Sequence, residues 1–392
     1  MTTTERSNAV IERIPIGRRI QEILDEKGAA YLVGFFANRI HFPPQRLLAI
    51  LHGNLEPSQE DLQQIAKGLG ISVARLLQED LVDEIEHLHE LLTTKGDSEA
   101  SIALAERIAE RSLGATERAD AYNWVGRAYY AAGKLQEAHD ALLRSYRVYE
   151  TIPTAYQDSE RMFRFTRNLS ITFGMLLDFN GMAEIVKRAE SFTWNDPLKE
   201  GATYLTSAVV QSELGHHEEA KRLFLLALTA YREAGNQEYI ARVQFNIGQV
   251  EYLTENYQNA ADYLESSLQD LSPETSYHLD AVEALVKTRI QLRDLDAALQ
   301  LIQTYEPSLR QRPKELAYLY LFHAYTANDL KRLEDVLAMD IVERDWKTRG
   351  YLYLMKHYSE LGDSLAVMRY FQLYLQTDTT SSSFEDLFQR RD

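Results

Sequence analysis

From about Leu81 onward, one arrangement of small and aromatic residues returns every 34 to 44 residues or so, the spacing of a stacked repeat protein. Its clearest copy reads Tyr122-Asn-Trp-Val-Gly126, then Tyr129, Gly133, Leu135, Ala138 and Leu142. A second reads Gln244-Phe-Asn-Ile-Gly248, then Tyr252, Tyr257, Ala260, Leu264 and Ser267, with Pro273 behind it. A third holds Tyr204, Gly215, Ala220, Phe224 and Ala227. Weaker copies contain Asn168, Phe179 and Met182; Leu295, Ala298 and Ile302; Leu330, Leu333 and Leu337; and Gly362, Val367 and Phe371. The pattern is steric. Gly or Ala lets two helices approach closely, and the larger residues fill the gaps between successive units. With a divergent first unit near Leu81–Arg111, the spacing predicts seven to eight helix pairs.

Composition agrees with an all-α chain. Only 9 prolines and 18 glycines interrupt 392 residues, and Val/Ile runs with strand alternation are scarce. The 23 tyrosines are expected at helix–helix contacts, rings buried and hydroxyls reaching water. With no cysteine, disulfides, cysteinyl zinc sites, iron–sulfur clusters and thiol catalysis are excluded. No apolar run is long enough for a membrane span, and the N-terminus has no apolar secretory core. Those features lead us to expect a cytoplasmic protein that makes no membrane contact. Signatures for nucleotide loops, helical zinc sites and serine hydrolases are missing, so neither an enzyme nor a cofactor is expected.

Charge separates the chain into two parts. Residues 1–80 carry nine Lys/Arg against ten Asp/Glu, so nearly all of the formal charge of −17 lies beyond them. The N-terminal part reads as five short helices: Ile16–Lys27 stopped by Gly28, about Ala29–Ile40, Pro44 to about His52, Gln59–Gly68 and Val73–Gln78. Ser58 is the expected N-cap of the fourth, with Asp61 completing a capping box.

The stretch Ile50-Leu51-His52-Gly53, Pro57-Ser58, Leu62, Ile65-Ala66-Lys67, Leu69-Gly70-Ile71-Ser72 and Leu76-Leu77 resembles the Cro/repressor-type (XRE) helix-turn-helix domain, over 14–80. The resemblance implies that the third helix reads double-stranded DNA in the major groove through Gln45, Arg46, Ala49 and His52. It makes Arg18, Arg19, Arg39 and Lys67 the phosphate contacts. Two features depart from the family pattern. Val33 stands where a polar residue is usual, and Pro43-Pro44 opens the reading helix in place of Ser or Thr. The segment Leu32–Phe36 is also unusually apolar.

Residues 81–376 resemble tetratricopeptide repeats, and 377–392 form a polar tail containing Phe384-Glu-Asp-Leu387-Phe388. The expected fold is therefore an N-terminal five-helix helix-turn-helix domain followed by a right-handed tetratricopeptide-type superhelix. In such repeats the first helix of each pair lines a concave groove. Aligning the copies places Asn168 and Asn246 at one inward position, Arg164 and Arg242 one turn before, and Thr172 and Gln249 about one turn after. Phe245, Lys287, Tyr318, Phe322, Tyr353 and Lys356 join the same expected surface. An Asn amide both donates and accepts, so it can hold the backbone of an extended peptide, while Arg beside it binds a carboxylate.

In domain order and length the chain resembles the RRNPP-type peptide-pheromone receptor transcription regulators of Gram-positive bacteria. The resemblance implies a homodimeric quorum-sensing regulator in which a short signalling peptide controls binding to an operator. The alternative is a protein-interaction scaffold, for instance for a response regulator, whose degenerate helix-turn-helix no longer binds DNA.

Overall fold

The computed structural model describes residues 13–94, 97–192, 194–273 and 275–377. Among these there are 21 α-helices and no strand. The polar tail expected beyond Thr377 lies outside the described residues. The chain divides into two compact units that meet in sequence at Trp194/Asn195.

The first unit opens with five short helices: α1 (Ile16–Lys27), α2 (Val33–Arg39), α3 (Pro44–Leu51), α4 (Gln59–Leu69) and α5 (Val73–Leu76). They enclose a core built on Ile20, Ile23, Leu24, Phe36, Leu47, Ile50 and Ile65. Gly28 ends α1 at φ 79°, a left-handed conformation that costs glycine little. The Ser58/Asp61 capping box forms: Asp61 N–H donates to Ser58 Oγ (3.2 Å) and Ser58 N–H to Asp61 Oδ2 (2.7 Å). The expected second helix is shorter than its sequence suggests. Ala29–Tyr31 is a single 3-10 turn, and Leu32 swings to an extended conformation before α2 begins.

Three helix pairs follow in this unit: α6 (Val82–Thr93) with α7 (Ser98–Glu110), α8 (Ala115–Ala131) with α9 (Leu135–Glu150), and α10 (Ser159–Met175) with α11 (Phe179–Glu190). The second unit holds five: α12 (Pro197–Glu213) with α13 (His217–Glu233), α14 (Gln237–Leu253) with α15 (Tyr257–Asp270), α16 (Ser276–Gln291) with α17 (Leu295–Leu309), α18 (Pro313–Thr326) with α19 (Leu330–Leu337), and α20 (Arg344–Glu360) with α21 (Ser364–Leu375). Eight pairs are thus described, at the upper end of the expected number.

The close approach inferred for Gly126 and Gly248 is present. A Cβ at 126 would lie 2.5 Å from Leu142 Cγ, and one at 248 would lie 2.7 Å from Leu264 Cγ. A second device marks the repeat. From α8 onward the turn inside each pair carries one left-handed residue: Gly133, Leu177, Gly215, Glu255, Arg293, Asn328 and Gly362. The next residue's N–H closes the turn on a carbonyl five residues back, as Lys134 does on Tyr129 and Asp178 on Phe173 (both 3.0 Å). Such a bond satisfies a carbonyl that the helix end leaves open. Four of the seven positions are not glycine, so the sequence gives only a partial view of this period.

Tyrosines do pack between helices, but several hydroxyls end on carboxylates. Tyr320 donates to Glu306 (2.7 Å) and Tyr358 to Glu334 (2.6 Å). Burial and the Glu306 bond push the Tyr320 hydroxyl up to about 12; the Glu334 bond does the same for Tyr358. No described helix is long and apolar enough to cross a membrane.

Candidate functional site

The helix expected to read DNA, α3, exposes Gln45 and Arg46, with Ala49 half-buried and His52 exposed just past its C-terminal end. Arg46 is not a free reader. Its Nε and Nη2 hold Asp61 Oδ1 and Oδ2 at 2.9 and 2.7 Å, a bidentate pair that ties α3 to the start of α4. That fork, helped by the Ser58 bonds, pulls the Asp61 carboxyl down to about 2. The sign follows. A folded-state value below the ordinary 3.8 gives stability that is complete above about pH 4 and disappears as pH falls towards 2. Arg46→Gln should therefore flatten the acid limb of stability between pH 4 and 2, measured as urea midpoints. An unchanged acid limb would show that the pair contributes nothing.

The expected phosphate contacts divide. Arg39 and Lys67 are exposed, Arg39 stacking at 3.9 Å over the Tyr31 ring, with Lys27 near the same ring at 5.3 Å. Arg18 and Arg19 are a correction: neither faces solvent. Arg19 is 1% exposed, its Nε donating to the Leu76 carbonyl (2.7 Å), Nη2 to the Arg75 carbonyl (2.9 Å) and Nη1 to Glu117 (3.2 Å). Arg18 pairs with Glu22 at 2.8 Å and also donates to Thr116. The physical reason is that α8, nearly a hundred residues away in sequence, covers this side of α1. Apolar side chains occupy part of the face that remains: Leu32, Phe35 and Leu48 are exposed, Phe35 to 66%.

The N-terminal helices are joined to the repeats through that seam. Glu117 Oε2 accepts from Arg19, from Arg75 and from the Leu113 N–H (2.7 Å). Burial lowers Arg19, whereas Arg75 is raised, because Glu117 and Asp80 together outweigh its desolvation. Acids of α1 also cap α8. Glu26 accepts from the Gly114 N–H (2.9 Å) and Glu22 from the Thr116 N–H (2.8 Å), placing negative charge at a helix N-terminus.

The expected groove residues are distributed over both units. In the first, Arg164 is half-buried and bonds Asp120 (2.8 Å), and Asn168 Nδ2 donates to Asn123 Oδ1 (2.9 Å). Thr172 is a correction. It is fully buried, donating to the Leu169 carbonyl (2.9 Å) and lying 3.1 Å from His139 Nδ1, so it packs α10 against α9. Reading from the sequence missed Asn123, Arg127 and Arg167. Asn123 stands in the Tyr122–Gly126 motif itself, one place off the aligned asparagine register.

In the second unit, helices α12, α14 and α16 form a cleft of about 670 Å³. It brings together three expected residues, Phe245, Gln249 and Lys287, with Glu213, His217, Tyr252, Asp280 and Glu283, which were not foreseen. Lys287 Nζ bonds Glu283 (3.0 Å) and lies 5.3 Å from the Tyr318 ring; Asp280 pairs with Arg312. His217 Nδ1 is buried and has no hydrogen-bond partner among the described residues. Gln249 is the exposed amide here. Asn246 is not equivalent, since its Nδ2 bonds the Arg242 carbonyl of its own helix (2.9 Å). Arg242 pairs with Glu238 (2.5 Å) and lies over Tyr277 at 4.8 Å, so the two Arg-x-x-x-Asn motifs have different surroundings. Phe245 is a buried floor, edge-on to Tyr277. Tyr318 and Phe322 are corrections: both are core, Tyr318 packing on Trp346. Tyr353 is half-buried between Tyr325 and His357, and Lys356 is exposed.

The cleft can hold an extended chain by an apolar floor, one amide and a ring of charges. Two kinds of likeness accompany this geometry. Residues 200–271, most of α12 through α15, match the tetratricopeptide repeat family. No curated protein matches the chain. Among solved structures, the apo form of the quorum sensor NprR from B. thuringiensis is 18% identical, covering 93% of this chain and 100% of that one, at a TM-score of 0.55. The apo form of RapI is 13% identical, covering 91% and 97%, at a TM-score of 0.52. The likeness is one of fold: an all-α chain of stacked, tetratricopeptide-like helix pairs.

Proposed function

We propose that the protein is a regulator whose repeats bind a short signalling peptide and whose N-terminal helices bind an operator as a homodimer. The observation that carries the peptide half is the cleft on α12, α14 and α16, where Phe245, Gln249 and Lys287 converge. An oligopeptide fits this lining. Its backbone meets the Gln249 amide, an apolar side chain meets Phe245 and Tyr252, and a basic group meets Glu213, Asp280 and Glu283. NprR, a quorum sensor, shares the fold, and a signalling role of that class is what we carry over. On this reading residues 14–80 are the DNA-binding domain and 81–376 the peptide-binding one. The peptide acts by binding one arrangement of the dimer more tightly than the other.

Fluorescence anisotropy of the full chain on duplex DNA from its own promoter, with and without candidate peptides, tests both halves. The expected result is binding whose midpoint moves with peptide. Absence of DNA binding under every condition would overturn the operator half. A second reading is favoured by Leu32, Phe35 and Leu48, which put apolar surface where DNA phosphates would lie. On that reading the N-terminal helices dock a protein partner, and Phe35→Ser weakens partner capture while Arg39→Gln does not.

A further inference from the structure

Two adjacent helices of the first unit are cross-bonded like rungs. On α8, Asp120, Asn123 and Arg127 follow one another along one face; on α10, Arg164 and Asn168 do the same. The first rung is ionic, Asp120 accepting from Arg164 at 2.8 Å. The second is an amide pair, Asn168 Nδ2 donating to Asn123 Oδ1 at 2.9 Å. At the third rung α8 presents Arg127, half-buried, with no acid or carbonyl to receive it among the described residues. Arg167 of α10, exposed, adds a second guanidinium that likewise has no acidic partner there. One turn before Arg127, Asn123 is 0% exposed and its Nδ2 donor is unpartnered. A half-buried guanidinium facing like charges is unfavourable in an empty site, and a bound anion removes the penalty.

We infer that Arg127, with Arg167 and Arg164 near it, is a carboxylate subsite of the first unit, which takes an acidic side chain or the C-terminal carboxylate of an oligopeptide laid along α8 and α10. The inference rests on the reading of the repeats as peptide-binding and adds the charge of a ligand held by the first unit itself. Guanidinium forks match a carboxylate in plane, two N–H groups to two oxygens. Burial together with the charges of Arg164 and Arg167 pushes the Arg127 guanidinium down, and burial with Arg127 and Arg164 pushes the nearby His89 down. The resident positive field is thus felt on α6 as well. A nucleic-acid strand is disfavoured, because Asp120 stands in the same ladder and residues 81–392 carry almost all of the net negative charge.

The probe is a pool of random fluorescent heptapeptides with a free C-terminus and one Asp or Glu each. A matched pool carries Asn or Gln and a C-terminal amide. Both are titrated against the full chain by anisotropy. The acid pool should bind the native protein about tenfold to a hundredfold more tightly than the amide pool, as expected for losing a charge-assisted bidentate contact. Arg127→Gln should abolish that difference, and the exterior control Arg232→Gln should preserve it. The melting temperature of peptide-free Arg127→Gln should equal or exceed that of the native chain, whereas an arginine needed for folding would lower it. Equal binding of the two pools by the native protein would overturn the carboxylate subsite and leave peptide binding standing. Binding of neither pool would overturn both. Arg127-dependent capture of single-stranded DNA in preference to the acid pool would overturn the assignment in favour of nucleic acid.

Discussion

Glu117→Ala is expected to destabilise the first unit by about 3–5 kcal/mol, the usual cost of removing one partner from a buried ion pair. One carboxylate oxygen serves Arg19, Arg75 and the Leu113 N–H, and both guanidinium groups are buried beside it. Its loss leaves Arg19 bonded to backbone carbonyls alone and Arg75 to Asp80 and the Arg111 carbonyl. Urea unfolding at pH 7 measures the effect. Hydrogen exchange should also rise first in α1 and α5, because those helices meet α8 through this carboxylate. A variant as stable as the native chain would mean that the seam is held by apolar packing alone. Glu117→Gln separates the two contributions, retaining the bond to the Leu113 N–H while removing the charge.

Gly17→Ala is expected to cost about 3 kcal/mol, at the upper end of ordinary overpacking. A Cβ there would lie 2.2 Å from the Ile50 carbonyl oxygen and 2.7 Å from that of Leu51. Both obstacles are backbone atoms at the end of α3, which cannot rotate away as a side chain can. Relief requires α1 and α3 to separate, so the substitution also displaces the helix proposed to read DNA. Gly34→Ala is the matched control. Among the described residues nothing lies within 4 Å of its Cβ position, and alanine there should gain about 0.5 kcal/mol through helix propensity. Equal melting temperatures for the two variants would refute the close approach of α1 to α3.

The repeat architecture was legible because its signals are local. Gly126 and Gly248 mark helix crossings that recur at a fixed distance from Leu142 and Leu264, and Ser58 with Asp61 forms a cap within four residues. The candidate site was legible only in part. Phe245, Gln249 and Lys287 do meet at one cleft, because positions four apart on α14 share a face and α16 packs beside it. Thr172, Tyr318 and Phe322 carry the same spacing and still face the core. A period of 3.6 residues identifies a face without saying which neighbouring helix will cover it. Asn123, Arg127 and Arg167 escaped for the converse reason: none is repeated in another unit, and their juxtaposition exists only across two helices.

The order of amino acids by itself determined where most helices start and stop, how they pair, and how the pairs repeat, since capping, glycine stops and apolar periodicity act over a few residues; the break at Leu32 is the exception. The tertiary structure alone decided which charges are available. Arg18 and Arg19 look like surface cations in sequence, yet α8 arrives from across the unit to bury them, with Glu117 receiving Arg19 and Glu22 holding Arg18. Among the described residues Arg127 is left without a counterion by the same kind of packing. Charge burial depends on contacts between segments far apart in the chain, and no local rule encodes them.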